Sequence, residues 1–325
     1  MICSISVIIP TLGNIENLNR LMKSTVSQHI NQNNYEVLIV VNGLIEKKDV
    51  AALDKWSMLY SEILKVYFIS EKGVNIARNF GLSRAKFSVA LFLDDDCELS
   101  NPHFLEEHIR LHSLHEQIFA IGGAYLLPAS AKYFDQIYNY IQIKWFISGV
   151  QDTQLSSKTQ YLLGGNFSIK LETVKDRKLK FDENILYGGS EYEFFRKANI
   201  IGLKMLTNGL DVIHHTQESL LSLTRKIFKQ GRGKAYIDGK YKIVSQDFVK
   251  EKKISNRSGG VVDRTVRLYF NYIFWMGYYF YQKKYFRIFY HIVKHWSGSL
   301  NMLRFEILSK ISQQISSKKE KGDRF

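Results

Sequence analysis

The sequence predicts an α/β protein built on a mixed, mostly parallel and doubly wound sheet. Over the first hundred residues, short β-branched segments alternate with segments whose apolar residues recur at helical spacing. This alternation is typical of parallel sheets covered by helices on both faces. A chain of 325 residues with 45% apolar residues can also bury the large core that such a sheet requires.

The predicted elements follow one another in a regular order. Residues 5–9 are β-branched and stop at Pro10, which indicates a short buried strand. Asn14 then precedes a segment with helical spacing of apolar residues, as expected of a helix start. Strands are predicted at 5–9, 36–41, 64–69, 88–93, 119–125, 161–169 (interrupted by Gly164-Gly165) and 204–212, and helices at 16–27, 47–62, 75–85, 131–147 and 190–200.

The positive charge is concentrated in the last third of the chain. Residues 1–222 carry 22 Lys and Arg against 24 Asp and Glu, whereas residues 223–325 carry 23 against 7. Such an imbalance favours an acidic partner. We expect a catalytic domain at 1–222, a basic, aromatic and helical extension at 223–315, and a disordered tail at 316–325.

The extension has two interpretations. It holds fourteen aromatic residues between Val266 and Trp296, and its segment 268–282 is nearly free of charge. That segment is too short and too rich in tyrosine for a spanning helix, which needs about 20 apolar residues. Tyr and Trp prefer the membrane interface, so an anionic membrane surface is one expected partner. The alternative is a helical pair packed on the catalytic domain with the aromatic residues as its core.

The cysteines and the first residues indicate the cellular compartment of the protein. Cys3 and Cys97 have neither the spacing of a zinc site nor a disulfide framework, which fits a reducing compartment. The apolar start has no basic segment before it and no cleavage-like site, so we interpret it as a strand rather than a signal peptide. We therefore expect a cytoplasmic protein.

Three consecutive aspartates mark the expected site. Asp94, Asp95 and Asp96 follow the apolar run 89–93, and carboxylates at the end of a buried strand require compensation. A divalent cation with a diphosphate provides it, at the edge where open α/β sheets bind ligands. Because side chains alternate along a strand, Asp94 and Asp96 should point one way and Asp95 the other. An acidic turn that caps the next segment is the alternative.

Other segments add candidate groups. Gly73 precedes a helix whose amino end attracts phosphate, with Arg78 one turn in; the alternative is a surface arginine. Glu191 follows a glycine turn and could accept a proton, or could only complement a helix dipole. His214 and His215 follow another predicted strand, where an imidazole could bind a metal or serve a structural role.

Taken together, these segments resemble family 2 glycosyltransferases, which have the GT-A fold. The matching segments, in order over roughly residues 4–235, are Val-Ile-Ile-Pro-Thr at 7–11, Gly-Val-Asn-Ile-Ala-Arg-Asn-Phe-Gly at 73–81, Phe-Leu-Asp-Asp-Asp at 92–96, Gly-Gly-Asn-Phe at 164–167, Phe-Asp-Glu at 181–183, Gly-Ser-Glu-Tyr-Glu-Phe-Phe-Arg at 189–196 and Gly-Arg-Gly at 231–233. The resemblance implies a nucleoside-diphosphate sugar donor, a Mn²⁺ or Mg²⁺ cofactor, and inversion at the anomeric carbon.

The resemblance also implies roles for individual residues. Pro10, Thr11, Asn42, Arg78 and Asp94 would contact the nucleotide, Gly165 and Asn166 would lie near the sugar or acceptor, Glu191 would be the catalytic base, and Asp94, Asp96 and His214 would bind the metal.

Two positions depart from the family pattern. The family usually has an Asp that binds uracil where this chain has Asn42, so a UDP-sugar is favoured but its base contact differs. The family's usual Glu-Asp pair is Ser190-Glu191 here, and the longer Glu changes the geometry toward the acceptor.

The expected function is sugar transfer to an acceptor saccharide, lipid-linked or free, in bacterial-type surface polysaccharide or glycoconjugate synthesis. The enzyme would lie peripherally at the inner face of the cell membrane. A polyprenyl-phosphate sugar synthase of the same fold is one alternative, and it would need no strong base at Glu191. A nucleic-acid-binding protein would leave the aspartates without a role, so nucleic acid is not an expected partner. The intact metal motif argues against an inactive homologue.

Overall fold

The computed structural model describes residues 4–43, 45–149, 162–186, 188–207, 209–242 and 261–283. The strands in these residues are β1 Ile5–Thr11, β2 Tyr35–Asn42, β3 Leu64–Ile69, β4 Val89–Leu93, β5 Cys97–Glu98, β6 Ile118–Gly122, β7 Tyr125–Leu126, β8 Asn166–Lys170, β9 Lys204–Thr207 and β10 Val212–His214. The helices are α1 Ile15–Val26, α2 Lys47–Leu59, α3 Val74–Arg84, α4 Phe104–Leu114, α5 Tyr133–Gly149, α6 Leu171–Asp176, α7 Ser190–Ile200, α8 Leu220–Lys240 and α9 Val261–Tyr281.

Seven strands form the main sheet, in the order β3-β2-β1-β4-β8-β6-β9. Its neighbours are parallel except at β8, which is antiparallel to both β4 and β6. A second sheet has the order β5-β10-β7. The predicted α/β class with a mixed, mostly parallel sheet is confirmed.

The first hundred residues fold as their pattern predicts. Every residue of β1, β2 and β4 is buried, as expected of strands covered on both faces. The side chain of Asn14 caps α1 by accepting a hydrogen bond from the backbone N–H of Asn17. The carboxyl ends of β1, β2 and β4 therefore meet at one edge, where the polar residues of the site begin.

The middle of the chain differs from the prediction. The strand predicted at 119–125 is two strands in different sheets, β6 and β7. Gly123 lies between them, where a Cβ would lie 1.9 Å from the Leu210 carbonyl oxygen. The strand predicted at 204–212 likewise divides into β9 and β10. Residues 162–165 form a loop and a turn before β8, so the strand predicted at 161–169 begins only at Asn166, and residue 161 lies outside the described residues. Helices α4 and α6 were not predicted.

The chain divides into two compact units, residues 1–226 and 227–325. In the second unit, two helical segments cross closely, because a Cβ at Gly231 would lie 1.9 Å from the Phe274 carbonyl oxygen. The Tyr278 hydroxyl donates a hydrogen bond to buried Asp238 across the same helix pair (2.9 Å). No helix of the described residues is long and apolar enough to cross a membrane. The tail predicted at 316–325 and much of the predicted extension lie outside the described residues.

Candidate active site

The three aspartates form a turn at the end of β4. The backbone N–H of Cys97 donates to the Asp94 carbonyl oxygen (3.1 Å), which closes the turn. Asp94 and Asp96 approach each other, as predicted, although the turn rather than the alternation of a strand places them there. Asp95 points elsewhere and accepts a hydrogen bond from the Thr11 hydroxyl (2.5 Å).

Asp94, Asp96 and His214 together form a group that fits a divalent cation. One ligand atom from each side chain lies within 4.8 Å of the others. The buried Oδ1 of Asp96 has no hydrogen bond of good geometry, although it lies 3.2 Å from His214 Nε2. Two carboxylate oxygens and one imidazole nitrogen suit Mn²⁺ or Mg²⁺. The donor atoms present therefore fit the cofactor that the sequence predicts.

The electrostatics of the turn favour a cation. Burial raises the pKa of Asp94 against the opposing charge of Arg78, and burial raises the pKa of Asp95 to about 7. For Asp96 burial acts in the same direction, but the charge and close contact of His214, together with the charge of Lys226, outweigh it and leave the pKa below its ordinary value. Burial lowers the pKa of His214, yet Asp96 and Asp94 overcome this and raise it. The carboxylates of Asp94 and Asp96 thus favour a positive charge beside them.

His214 is held in place by the small sheet and by an aromatic ring. It pairs with Cys97 across β10 and β5. Its imidazole stacks on the ring of Tyr125, with centroids 4.2 Å apart. The Tyr125 hydroxyl accepts a hydrogen bond from the Gly165 N–H (2.7 Å). His215 takes another direction and pairs with Glu98 (2.6 Å), so it does not join the group.

Glu191 lies at the start of α7, beside a buried arginine. The Ser190 hydroxyl donates to Glu191 Oε2 (2.8 Å), and Arg78 Nη1 donates to the same hydroxyl (3.0 Å). Arg78 Nη2 donates to the Gly164 carbonyl oxygen (2.8 Å) and lies 3.4 Å from Asp94. The arginine predicted to contact the nucleotide therefore binds protein groups with both terminal nitrogens.

The glycine pair before β8 allows these groups to come together. A Cβ at Gly165 would lie 2.4 Å from Asp94 Oδ2. The next residue, Asn166, is fully buried, and its amide donates to the carbonyl oxygens of Leu210 (2.8 Å) and Ala124 (3.2 Å). Gly165 thus borders the predicted site directly, whereas the Asn166 side chain supports it from inside the protein.

The predicted nucleotide residues of β1 and β2 lie at the same sheet edge. Pro10 and Thr11 end β1 and are buried. The Asn42 amide donates to the Thr11 carbonyl oxygen (2.8 Å), and its oxygen accepts from the Gly73 N–H (3.0 Å). Asn42 therefore joins the ends of two strands to the start of α3.

A polar pocket opens beside Asp96, with a volume of about 320 Å³. Its lining residues come from the start of α1, the loop after β10 and the first turns of α8: Asn14, Asn17, Asp96, His215, Thr216, Gln217, Glu218, Ser222 and Lys226. Lys226 forms an ion pair with Glu218, and its charge contributes to lowering the pKa of Asp96. Asp135 fixes the loop by accepting hydrogen bonds from the Thr216 hydroxyl (3.1 Å) and the Glu218 N–H (2.6 Å).

Sequence reasoning missed three residues of the site. Tyr125 stood at the end of a predicted strand, Lys226 belonged to a long basic segment, and Ser190 was noted only as a departure from a family pattern. Tyr125 and Lys226 carry no local signal of function, because each acts on groups that are distant in the sequence. The Ser190 hydroxyl donates to the adjacent Glu191, but the arginine that binds this hydroxyl is distant in the sequence.

Comparisons with known proteins identify related sequences. The sequence model described as Glycosyl transferase family 2 matches residues 6–175, which is just over half of the chain. Glycosyltransferase AglE of Haloferax volcanii is 27% identical over 242 residues, covering 72% of this chain and 73% of that protein.

Solved structures resemble the fold. The mannosyltransferase PcManGT from Pyrobaculum calidifontis, in complex with GDP-Man and Mn²⁺, has a TM-score of 0.59 and 14% identity. That match covers 76% of this chain and 66% of the other. S. aureus TarS 1-349 in complex with UDP-GlcNAc has a TM-score of 0.54 and 18% identity, covering 72% of this chain and 66% of the other. At these identities the likeness shows the fold.

Proposed function

The chain belongs to glycosyl transferase family 2, and from this we propose that it transfers a sugar from a nucleoside-diphosphate donor to an acceptor hydroxyl with inversion. One observation carries the proposal: a possible cation site and a candidate base are connected through a single buried arginine. Arg78 lies 3.4 Å from Asp94 and 4.0 Å from Glu191. A donor bound at Asp94 would therefore place its reacting carbon near a carboxylate that can take a proton.

Asp94, Asp96 and His214 would hold Mn²⁺ or Mg²⁺. The bound cation would neutralise the negative charge that develops on the diphosphate leaving group. Support comes from the close approach of the three side chains and from the buried, unbonded oxygen of Asp96. Lys226, in the adjoining pocket, adds a positive charge on the same side.

Glu191 would act as the base. Its carboxylate is partly exposed, so an acceptor hydroxyl can reach it. The hydroxyl proton would pass to Glu191 as the hydroxyl oxygen forms its bond to the anomeric carbon. The bond from that carbon to the diphosphate breaks on the opposite face, and its electron pair leaves with the diphosphate. A single displacement of this kind inverts the anomeric centre.

The nucleotide would lie over the ends of β1 and β2. Thr11, Pro10 and Asn42 border this edge, and α3 begins beside it at Gly73. We favour a UDP-sugar. The structural relatives were solved with GDP-Man and with UDP-GlcNAc, so both nucleotides belong in the test.

The donor site can be tested by calorimetry with UDP, GDP and CDP, each with and without Mn²⁺. Wild type should bind one nucleotide in a Mn²⁺-dependent manner, and Asp96→Ala should lose that binding while keeping its melting temperature. Asp54→Ala, an exposed aspartate of α2, is the matched control and should bind like wild type. Full Mn²⁺-dependent binding by Asp96→Ala would contradict the metal assignment.

We also propose that the enzyme works peripherally at the inner face of the cell membrane, in the synthesis of a surface polysaccharide or glycoconjugate with a lipid-linked acceptor. The support is the charge of residues 223–325, which include 23 basic and 7 acidic residues, together with the aromatic residues there. The full chain should sediment with vesicles containing phosphatidylglycerol, and high salt should release it. Equal binding to phosphatidylcholine vesicles would contradict an electrostatic contact.

A further inference from the structure

The carboxylate of Glu191 is held at one of its two oxygens. Oε2 accepts the hydrogen bond from the Ser190 hydroxyl (2.8 Å) and lies 4.0 Å from Arg78 Nη1. Ser190 itself is buried, although Glu191 is partly exposed. One oxygen is therefore fixed from the protein side, whereas no side chain of the described residues is seen to bind Oε1, which leaves it for a group arriving from solvent.

Arg78 fixes the serine in turn. Its Nη1 donates to the Ser190 hydroxyl (3.0 Å), so that hydroxyl must use its own hydrogen to donate to Glu191. Its Nη2 is bound to the Gly164 carbonyl oxygen, and its guanidinium lies 5.4 Å above the ring of Phe181. A planar, buried guanidinium held on two sides has little freedom to turn. The orientation of Glu191 therefore depends on a chain of contacts from Arg78 through Ser190.

Gly164 packs against both Arg78 and Glu191. A Cβ at this position would lie 2.9 Å from Arg78 Nη2 and 3.3 Å from the carboxyl carbon of Glu191. The backbone of Gly164 thus packs against both charged groups at once. A side chain here would push them apart.

We propose that Ser190 and Arg78 are positioning residues that aim Glu191 Oε1 at the acceptor hydroxyl. This inference rests on the proposed function, in which Glu191 is the base. The acceptor proton moves to Oε1 while Oε2 keeps its hydrogen bond, and the acceptor oxygen bonds to the anomeric carbon as the diphosphate departs with the bonding electron pair. The Ser190-Glu191 pair thereby takes the place of the two adjacent carboxylates that the family usually has. Arg78 acts on catalysis through the base rather than by contacting the nucleotide.

Donor turnover in water tests the inference, because water can replace the acceptor. The probes are GDP-mannose and UDP-N-acetylglucosamine with Mn²⁺, and the readouts are nucleoside diphosphate release and donor affinity by calorimetry. Ser190→Ala should lower kcat about tenfold to a hundredfold and leave donor affinity within about twofold. Ser190→Thr keeps the hydroxyl and should restore most of the rate. Ser83→Ala, an exposed serine of α3, should behave as wild type.

A double variant shows whether Ser190 affects the rate only by positioning Glu191 or by disturbing the site more widely. If Ser190 acts only through Glu191, adding Ser190→Ala to Glu191→Gln should change the remaining rate by less than about twofold. Arg78→Lys retains the charge but lacks the forked donors, so it should lower kcat more than donor affinity. Arg84→Lys on the same helix is its control, since Arg84 lies over the rings of Tyr67 and Phe80.

The possible outcomes separate the two ideas. A wild-type chain that turns over neither donor contradicts the proposed function. An active wild type with a fully active Ser190→Ala overturns the inference, and so does a Ser190→Ala whose whole defect lies in donor affinity. If Ser190→Ala has a lower melting temperature than wild type, Gly164→Ala provides a second test of the positioning of Glu191. It should lower kcat without weakening donor binding, and unchanged kcat would overturn the inference.

Discussion

Two buried histidines should make the stability of the protein sensitive to mild acid. His108 and His112 lie one turn apart on α4, and each forms a hydrogen bond with the Ser168 hydroxyl at 2.8 Å. Both imidazoles are completely buried. Burial lowers the pKa of His108 from 6.5 to about 3, and it lowers that of His112 well below its ordinary value, with the charge of Lys170 adding to the effect. Both are therefore neutral in the folded protein near pH 7.

The lowered pKa values of the two histidines determine how the stability of the protein changes with pH. The unfolded chain binds the proton more tightly than the folded protein does. Stability is therefore complete above pH 6.5 and is lost as the pH falls from 6.5 toward about 3. Because pH 5 lies well below the ordinary pKa of 6.5, protonation of His108 in the unfolded chain lowers the free energy of unfolding by about 2 kcal/mol at this pH. A loss of this size is a large fraction of the stability of an ordinary domain.

Urea unfolding at pH 7.5 and pH 5 measures this loss in wild type and in His108→Asn. The variant does not titrate in this range, so its stability relative to wild type should rise by about 2 kcal/mol between the two pH values. Other titrating groups, such as Asp95, contribute equally to both proteins and cancel in the comparison. His29→Asn, at an exposed position, should lose stability as wild type does. Parallel losses in His108→Asn and wild type would refute the reasoning.

Four glycines give further predictions. Gly231→Ala or Gly277→Ala should lower the free energy of unfolding by about 3 kcal/mol in urea titrations, since a Cβ at either position would lie 2.0 Å or less from a backbone oxygen of the opposite helix. Gly239→Ala, whose Cβ would meet no atom of the described residues within 4 Å, should instead stabilise α8 by up to about 1 kcal/mol. Gly165→Ala should weaken Mn²⁺-dependent nucleotide binding at least about tenfold by calorimetry, because its Cβ would displace the carboxylate of Asp94.

Periodicity predicted the part of the fold in which local pattern and burial agree. The strand at Leu64–Ile69 has the bounds that were predicted, and so does the helix at Ser190–Ile200. The predictions for 119–125 and 204–212 were wrong because the fold divides each segment between two sheets. The first segment is a continuous apolar run, whereas the second contains Asn208 and Gly209, which are typical of a turn. Where the segments divide, Gly123 approaches the Leu210 carbonyl, a contact between residues that are distant in the sequence. No periodicity reports such a contact.

For the site, too, the sequence predicted the positions of residues better than the contacts of their side chains. The triplet at 94–96 could be located because three carboxylates after an apolar run are unusual, and the turn brings Asp94 and Asp96 together. The direction of Arg78 could not be predicted. A helix start after a glycine suggests a phosphate contact, but it does not reveal the partners that the folded chain offers.

The partners of Arg78 also explain why this arginine is buried. A buried guanidinium needs acceptors for its donors, and for the two terminal nitrogens they are the Ser190 hydroxyl, the Gly164 carbonyl and the carboxylate of Asp94. The buried Nε has no hydrogen-bond partner among the described residues. Each acceptor comes from a different element: the start of α7, the turn before β8 and the turn after β4. One residue thus ties together the three segments that carry the candidate base, the glycine pair and the candidate metal ligands. Its loss should disturb base and metal site together, whereas loss of Ser190 should reach only the base.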